Sequence, residues 1–360
     1  MKAILVGNYS QEIDNVSYSQ LYPFFKNREK LRKKFGLEFK HLQADTFPEI
    51  QEALKNSTDA DASEIIFIRP TWRHETDEAI SFFSSIRDTY PDKRIILIDP
   101  WDQVTGRYLA VAGFVDYMFK YQGLKDKQDY LKSYVGGTVV TDYLHREFGY
   151  DVSDWNVGSQ PPADCVDRIL PGWNFAAAPR FQNVLMQGPV AKLFRTRKRS
   201  IDVFCRLGYG GADEWYGRYR KMAVEKILEL GPDYTLAVSG DKRDQKVISS
   251  RQYFEEIKRA RIAVSPFGWG EVTYRDYEAI SYGCLLVKPR IDHVATNPAV
   301  FVPGESYVPV AWDYSDVVEK CKYYLTHWDE AEKIIAEARR LYLDFFEKDR
   351  FLDIIGRVLK

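Results

Sequence analysis

The stretch SPFGWGEVTYRDYEAISYGCLLVKP, residues 265–289, reads as strand end, glycine loop, helix and strand, and this order decides the fold. The apolar run RIAVSPF (261–267) enters a loop holding Gly268 and Gly270, where a backbone without side chains lets N–H groups approach a ligand closely. Thr273 followed by Asp276 has capping-box spacing, so a helix is expected to begin at about Tyr274 and to aim its free N–H groups at the loop. A glycine loop feeding a helix N-terminus is a ready diphosphate site. Arg275, in the first turn, adds a guanidinium able to bind phosphate through two hydrogen bonds. Glu278, one turn on, shares its helix face and is placed to accept both hydroxyls of a ribose. CLLVKP (284–289) then returns as the next strand.

The same alternation extends outward. Upstream lie SIDVFCRL (200–207), a helix at 214–230, YTLAVSG (234–240) and a helix at 250–260. The first half of the chain repeats the pattern with strands in KAILVG (2–7), LEFKHLQ (37–43), SEIIFIRP (63–70), KRIILIDP (93–100) and VDYMFKYQ (115–122). Between them come a polar helical stretch through Lys34 and helices near 48–55 and 75–88, with another at 138–148. Near-continuous apolar strands separated by helices argue for parallel sheets covered on both faces. Residues 151–190 carry Pro, Gly and Trp with little period and read as a linker and domain boundary. From Ser315 to Lys360 the chain reads as amphipathic helix with breaks near Thr326 and Lys348. The organisation expected is a Rossmann-like domain with linker over 1–185, a second over 186–346, and a terminal helix over 347–360 that can cross back to the first.

A length of 360 residues suits two domains, and 45% hydrophobic with 29% charged residues is the balance of packed cores. The net charge of -1 gives no electrostatic reason to expect nucleic acid. Cys165, Cys205, Cys284 and Cys321 are far apart, without zinc-ligand spacing, and read as reduced, buried thiols. The apolar run of MKAILVGNYS stops within seven residues, short of a signal peptide or a membrane span, so a cytoplasmic location is expected by default.

On these residues a resemblance rests. The string from Thr273 to Val287 resembles the donor-site motif of GT-B glycosyltransferases, in which a Glu-Ala pair on a helix is followed by Gly and an apolar strand. The resemblance implies two Rossmann-like domains facing across a cleft, an acceptor-binding N-terminal half and a nucleotide-sugar-binding C-terminal half. It assigns the ribose to Glu278, which is followed by Ala279 and Gly283. The form T-x-R-x-x-E-A is also similar to the S-x-R-x-x-E-A pattern of exostosin-like transferases, which implies a phosphate contact for Arg275. PGESYVPVAWDYSD (303–316) resembles the tail of bacterial family-1-like glycosyltransferase domains. Retaining members carry a second Glu eight positions before the ribose Glu; Gly270 stands there, with Glu271 one place on. They also carry an Arg after the first C-domain strand and a Lys five residues later; Arg206 matches the Arg, Gly211 replaces the Lys, and Lys242 or Arg243 in SGDKR would supply the charge.

The expected reaction is transfer of a sugar from a nucleotide-diphosphate donor to a hydroxyl of a carbohydrate or other acceptor. Arg275 and Arg206 would stabilise the leaving diphosphate, Gly268, Gly270, Thr273 and Glu271 would line the donor, and no metal is required. If the transfer inverts configuration, His74, Asp99 and Asp102, at strand ends of the first sheet, are the candidates for a base on the acceptor, with Trp101 between the two aspartates as a sugar-stacking ring; a retaining transfer requires no such base. The run KLFRTRKRS (192–200) suits a solvated interdomain strand edge, or else contact with anionic lipid or an acidic acceptor. Two other outcomes share the pattern: a nucleotide-sugar epimerase or hydrolase, and a binder without turnover.

Overall fold

The computed structural model describes residues 1–186, 199–209, 214–239 and 248–360. They form two compact units. The first comprises Met1–Pro179, His293–Pro298 and Phe345–Lys360, the second Arg180–Asp292 and Ala299–Asp344.

Seven short strands of the first unit come from the first half of the chain: β1 (Lys2–Gly7), β2 (Glu38–Leu42), β3 (Ile65–Arg69), β4 (Arg94–Ile98), β5 (Tyr117–Lys120), β6 (Gly123–Leu124) and β7 (Ile169–Pro171). Six make one sheet in the order β2-β1-β3-β4-β5-β7. Every pairing in it is parallel, with Ile4 opposite Ile66, Ile66 opposite Ile95, and Met118 opposite Ile169. Parallel neighbours need crossovers, which the helices Asn15–Lys26, Phe47–Lys55 and Thr76–Thr89 supply. All five residues of β3 are buried, as a strand covered on both faces requires. Leu5, Phe24, Phe67, Ile96, Phe119 and Trp173 build the core, joined by Phe351, Leu352 and Ile355 from the helix Arg350–Gly356. Residues 151–190, which lack period, nevertheless contribute β7 and Trp173 to this sheet and core. A three-residue strand among prolines and glycines carries too little pattern to be read.

In the second unit, β8 (Ile201–Cys205), β9 (Leu236–Val238), β10 (Ala260–Val264), β11 (Leu285–Pro289) and β13 (Val308–Val310) form a parallel sheet in the order β13-β11-β10-β8-β9. The remaining strand, β12 (Val294–Ala295), pairs antiparallel with β6 and belongs to the first unit. The second sheet therefore has the 2-1-3-4-5 order of doubly wound folds, and the first has the same order with β7 added beyond β5. The helix Tyr274–Tyr282 follows β10 and ends at Gly283, whose φ of 71° is left-handed backbone that favours glycine. All four cysteines are buried and free. Among the described residues no helix is long and apolar enough to cross a membrane.

Candidate donor site at the switch point of the second sheet

In the second sheet the chain leaves β8 toward β9 on one side and returns to β10 on the other, so the winding reverses between β8 and β10. Loops beyond the carboxyl ends of two such strands diverge and leave a crevice for ligands. The two loops here are Arg206–Tyr209 after β8 and Ser265–Thr273 after β10. Arg220 ties them together, donating from Nη1 to the Gly208 carbonyl at 2.7 Å and from Nε to the Phe267 carbonyl at 3.2 Å.

The capping expected from sequence is present. Thr273 is the N-cap of Tyr274–Tyr282, and the Asp276 carboxylate accepts from the Thr273 N–H at 2.9 Å. Asp276 has a second partner that the sequence does not announce. Lys288, on β11, donates to it at 2.6 Å and to the Glu271 carbonyl at 2.8 Å, and both charged side chains have no exposed surface. The Phe301 ring centroid lies 4.7 Å from the ammonium. Burial lowers the affinity of Lys288 for its proton, against which the Asp276 charge works. Glu271 itself is fully buried, and its carbonyl is held by Lys288.

Gly268 and Gly270 do not stand as two open N–H donors. The Gly268 N–H is used by the Gly270 carbonyl at 3.0 Å, closing a turn. A Cβ on Gly268 would lie 3.2 Å from Arg220 Nη2 and 3.3 Å from Thr273 Cγ2, so this glycine serves close packing of the loop on its tether. Ser265 and Thr273 join their hydroxyls at 3.1 Å across the loop.

Arg275 and Arg206 meet through the main chain. Arg275 donates from Nε to the Arg206 carbonyl at 3.0 Å. The Arg206 guanidinium turns to Glu256, with Nε to Oε2 at 2.7 Å and Nη2 to Oε1 at 3.1 Å, and its Nη1 bonds the Val238 carbonyl. Such a fork on a carboxylate fixes Arg206 in place and offsets its charge. Glu278 is 5% exposed, and both its oxygens are engaged. Tyr253 donates to Oε2 at 2.6 Å and Arg180 to Oε1. Burial pushes the Tyr253 phenol well above its ordinary range, with the Arg275 charge acting the other way. Lys242, Arg243 and Gly211 lie outside the described residues, as does most of the basic run 192–200.

The candidates in the first unit also follow strand ends. His74, after β3, stacks on Phe47 with ring centroids 4.0 Å apart. Its Nε2 accepts from the Phe47 N–H at 3.1 Å and its Nδ1 lies 3.3 Å from Glu78, so the lone pair a general base would use is already bonded. Asp99, at the end of β4, is buried against the Lys120 ammonium; burial raises its pKa and Lys120 works against that rise. Asp102 is half-buried, its carbonyl accepting from Gln122. Trp101, expected as a stacking ring, is buried edge-on to Trp72, and it is Trp72 that is exposed.

Four residues of the network around this loop and helix carry no motif: Arg180, Tyr253, Glu256 and Lys288. Each reaches its partner across a gap in sequence, the widest being the 98 residues from Arg180 to Glu278.

Two doubly wound units, each built on its own parallel sheet, define the GT-B class of fold. Residues 218–353 match the family model described as glycosyl transferase-like. The whole chain is similar in fold to sucrose-phosphate synthase from Thermosynechococcus elongatus, at a TM-score of 0.55 and 10% identity, covering 99% of this chain and 98% of that one. It is likewise similar to a glycosyltransferase from Rickettsia africae ESF-5, at a TM-score of 0.52 and 11% identity, covering 100% and 97%. No curated protein sequence matches it. The chain has the GT-B fold, and residues 218–353 carry the likeness to the glycosyl transferase-like family.

Proposed function

We propose that the chain transfers a glycosyl group from a nucleotide-diphosphate sugar to a hydroxyl acceptor, binding the donor at the β8/β10 switch point without a metal. The observation that carries this reading is that one capped helix, Tyr274–Tyr282, begins beside the β10 loop, bears the buried Glu278 and is tied by Arg275 to the β8 loop through the Arg206 carbonyl. A buried carboxylate with two directed oxygens suits a vicinal diol, which offers two O–H donors. A helix N-terminus beside a guanidinium suits the diphosphate, whose negative charge grows as the glycosyl bond breaks. Arg275 is the group that meets this charge. Arg206, forked onto Glu256, positions it through the carbonyl that Arg275 grips. Lys288 holds the loop and the helix start as one piece.

Glu278→Gln tests the ribose assignment, because it keeps the shape and removes the charge. Calorimetric titration with UDP and GDP should show the tighter of the two weakened by about tenfold or more, the scale of one charge-assisted hydrogen bond. An unchanged dissociation constant in the folded variant refutes the assignment. Activity should also persist in excess EDTA; full loss restored by manganese or magnesium would mean that a cation holds the diphosphate.

A further inference from the structure

Both carboxylate oxygens of Glu278 have partners within the chain. Its Oε1 is held by Arg180 and its Oε2 by the Tyr253 hydroxyl, so both faces that a diol would use are occupied. The two members of the ion pair are unlike in setting: the Arg180 side chain is 42% exposed and that of Glu278 is 7% exposed. Arg180 also has a seat of its own. Its guanidinium carbon lies 4.7 Å from the Phe181 ring centroid and 5.0 Å from that of Tyr274, two rings stacked 6.1 Å apart. A carboxylate as buried as Glu278 is costly without a counter-charge, whereas a half-exposed guanidinium resting on aromatic faces loses little when it gives up one carboxylate oxygen.

We propose that Arg180 is an internal stand-in for the ribose, pairing with Glu278 and being displaced from it when a ribonucleotide binds. This rests on the assignment of Glu278 to the ribose. Displacement makes nucleotide affinity a difference between two interactions of one carboxylate, the diol gained and the guanidinium lost. The buried carboxylate thereby has a counter-charge of its own, and the contact selects for ligands able to compete for Oε1. After displacement the guanidinium stays over Tyr274, beside the first turn of the helix.

The contribution of the ribose can be separated from that of the diphosphate by comparing UDP with 2′-deoxy-UDP, and GDP with 2′-deoxy-GDP, in the wild type, Arg180→Met and Arg180→Lys. The ratio of dissociation constants, deoxy over ribo, cancels the effect of the lost positive charge on the diphosphate, as in a double-mutant cycle. With Arg180 in place the 2′-hydroxyl must compete for Glu278; without it the bond is uncontested. The ratio is expected to rise about tenfold in Arg180→Met, and in the same direction but less in Arg180→Lys. Because each ratio is taken within one variant, partial loss of folded protein does not distort it, and the lysine variant serves if the methionine variant fails to fold. An unchanged or smaller ratio overturns the stand-in role, since Arg180 would then be indifferent or a direct aid to ribose binding. Failure of the wild type to bind any of the four nucleotides sinks the donor-site reading, and this one with it, whereas binding with an unaltered ratio sinks this one alone.

Discussion

At the scale of single residues, the two arginines singled out by sequence are not equivalent. Arg275 spends Nε on a carbonyl, while Arg206 spends Nε, Nη1 and Nη2 on Glu256 and Val238. An interaction made mainly in the transition state lowers kcat and leaves KM nearly alone. Arg275→Ala is therefore expected to lower kcat by about 100-fold, the scale of one preorganised charge-stabilising donor, with lysine restoring only part because it lacks the planar fork. Arg206→Ala should show a different balance. It leaves the part-buried Glu256 with Gln252 but without its fork, so a loss of stability of about 1–3 kcal/mol should accompany a milder fall in kcat. Steady-state kinetics beside urea denaturation separates the two. Equal kinetic defects with unchanged stability would mean that both guanidiniums meet the diphosphate. The sequence shows that an arginine stands after β8, but it does not show which acid takes its charge, because Glu256 lies 50 residues on, on a helix of another crossover.

At the scale of elements, what was legible is what local chemistry dictates. The capping box of Tyr274–Tyr282, its glycine stop and the buried strands β10 and β11 all follow from residues within a few positions of one another. The pair that fastens this element does not, since Lys288 reads as one more residue of an apolar strand until Asp276 is seen against it. Lys288→Met removes one partner of a fully buried pair and should cost about 3–5 kcal/mol. The double variant Lys288→Met, Asp276→Asn should recover a good part of that loss, because no uncompensated carboxylate remains. Urea denaturation of both decides it: equal losses would show that the lysine acts by packing on Phe301 and not by its charge. A second capping box behaves as a pH-dependent element. Glu49 accepts from the Thr46 N–H at 3.0 Å and the Asp45 N–H at 2.9 Å, which holds its carboxyl below the usual range. A depressed pKa in the folded state means stability present above the unfolded value and lost as pH falls through the folded one. Glu49→Gln should thus be less stable by about 0.5–1 kcal/mol at neutral pH, with the gap closing as pH drops below about 4. A gap independent of pH would remove the carboxylate from the account.

At the scale of the whole molecule, chain order and unit membership part company. The last sixteen residues, Phe345–Lys360, belong to the first unit although they follow the second in sequence. Periodicity shows that this segment is helical and amphipathic, but an apolar stripe does not name the core it enters. The structure names it: the Phe351 ring stands 5.2 Å from Phe24 and 4.8 Å from Trp173, both nearly edge-on, and Trp173 is anchored by its Nε1 on the Gln20 carbonyl at 2.7 Å. Phe351 is 3% exposed, so its loss empties a space walled by aromatic rings that cannot easily collapse. Phe351→Ala should cost the first unit about 3–5 kcal/mol. The nucleotide-binding candidates all lie in the second unit, so the affinity for UDP or GDP should stay within twofold of the wild type while the first unit's thermal transition falls. Differential scanning calorimetry with and without the tighter-binding nucleotide provides the measurement. The nucleotide should raise the transition of the second unit in both proteins, by mass action on the state that binds it. If Phe351→Ala melts like the wild type, the terminal helix does not hold the first unit's core; if instead it abolishes nucleotide binding in a protein still folded at the assay temperature, the donor site depends on more than the unit that carries it.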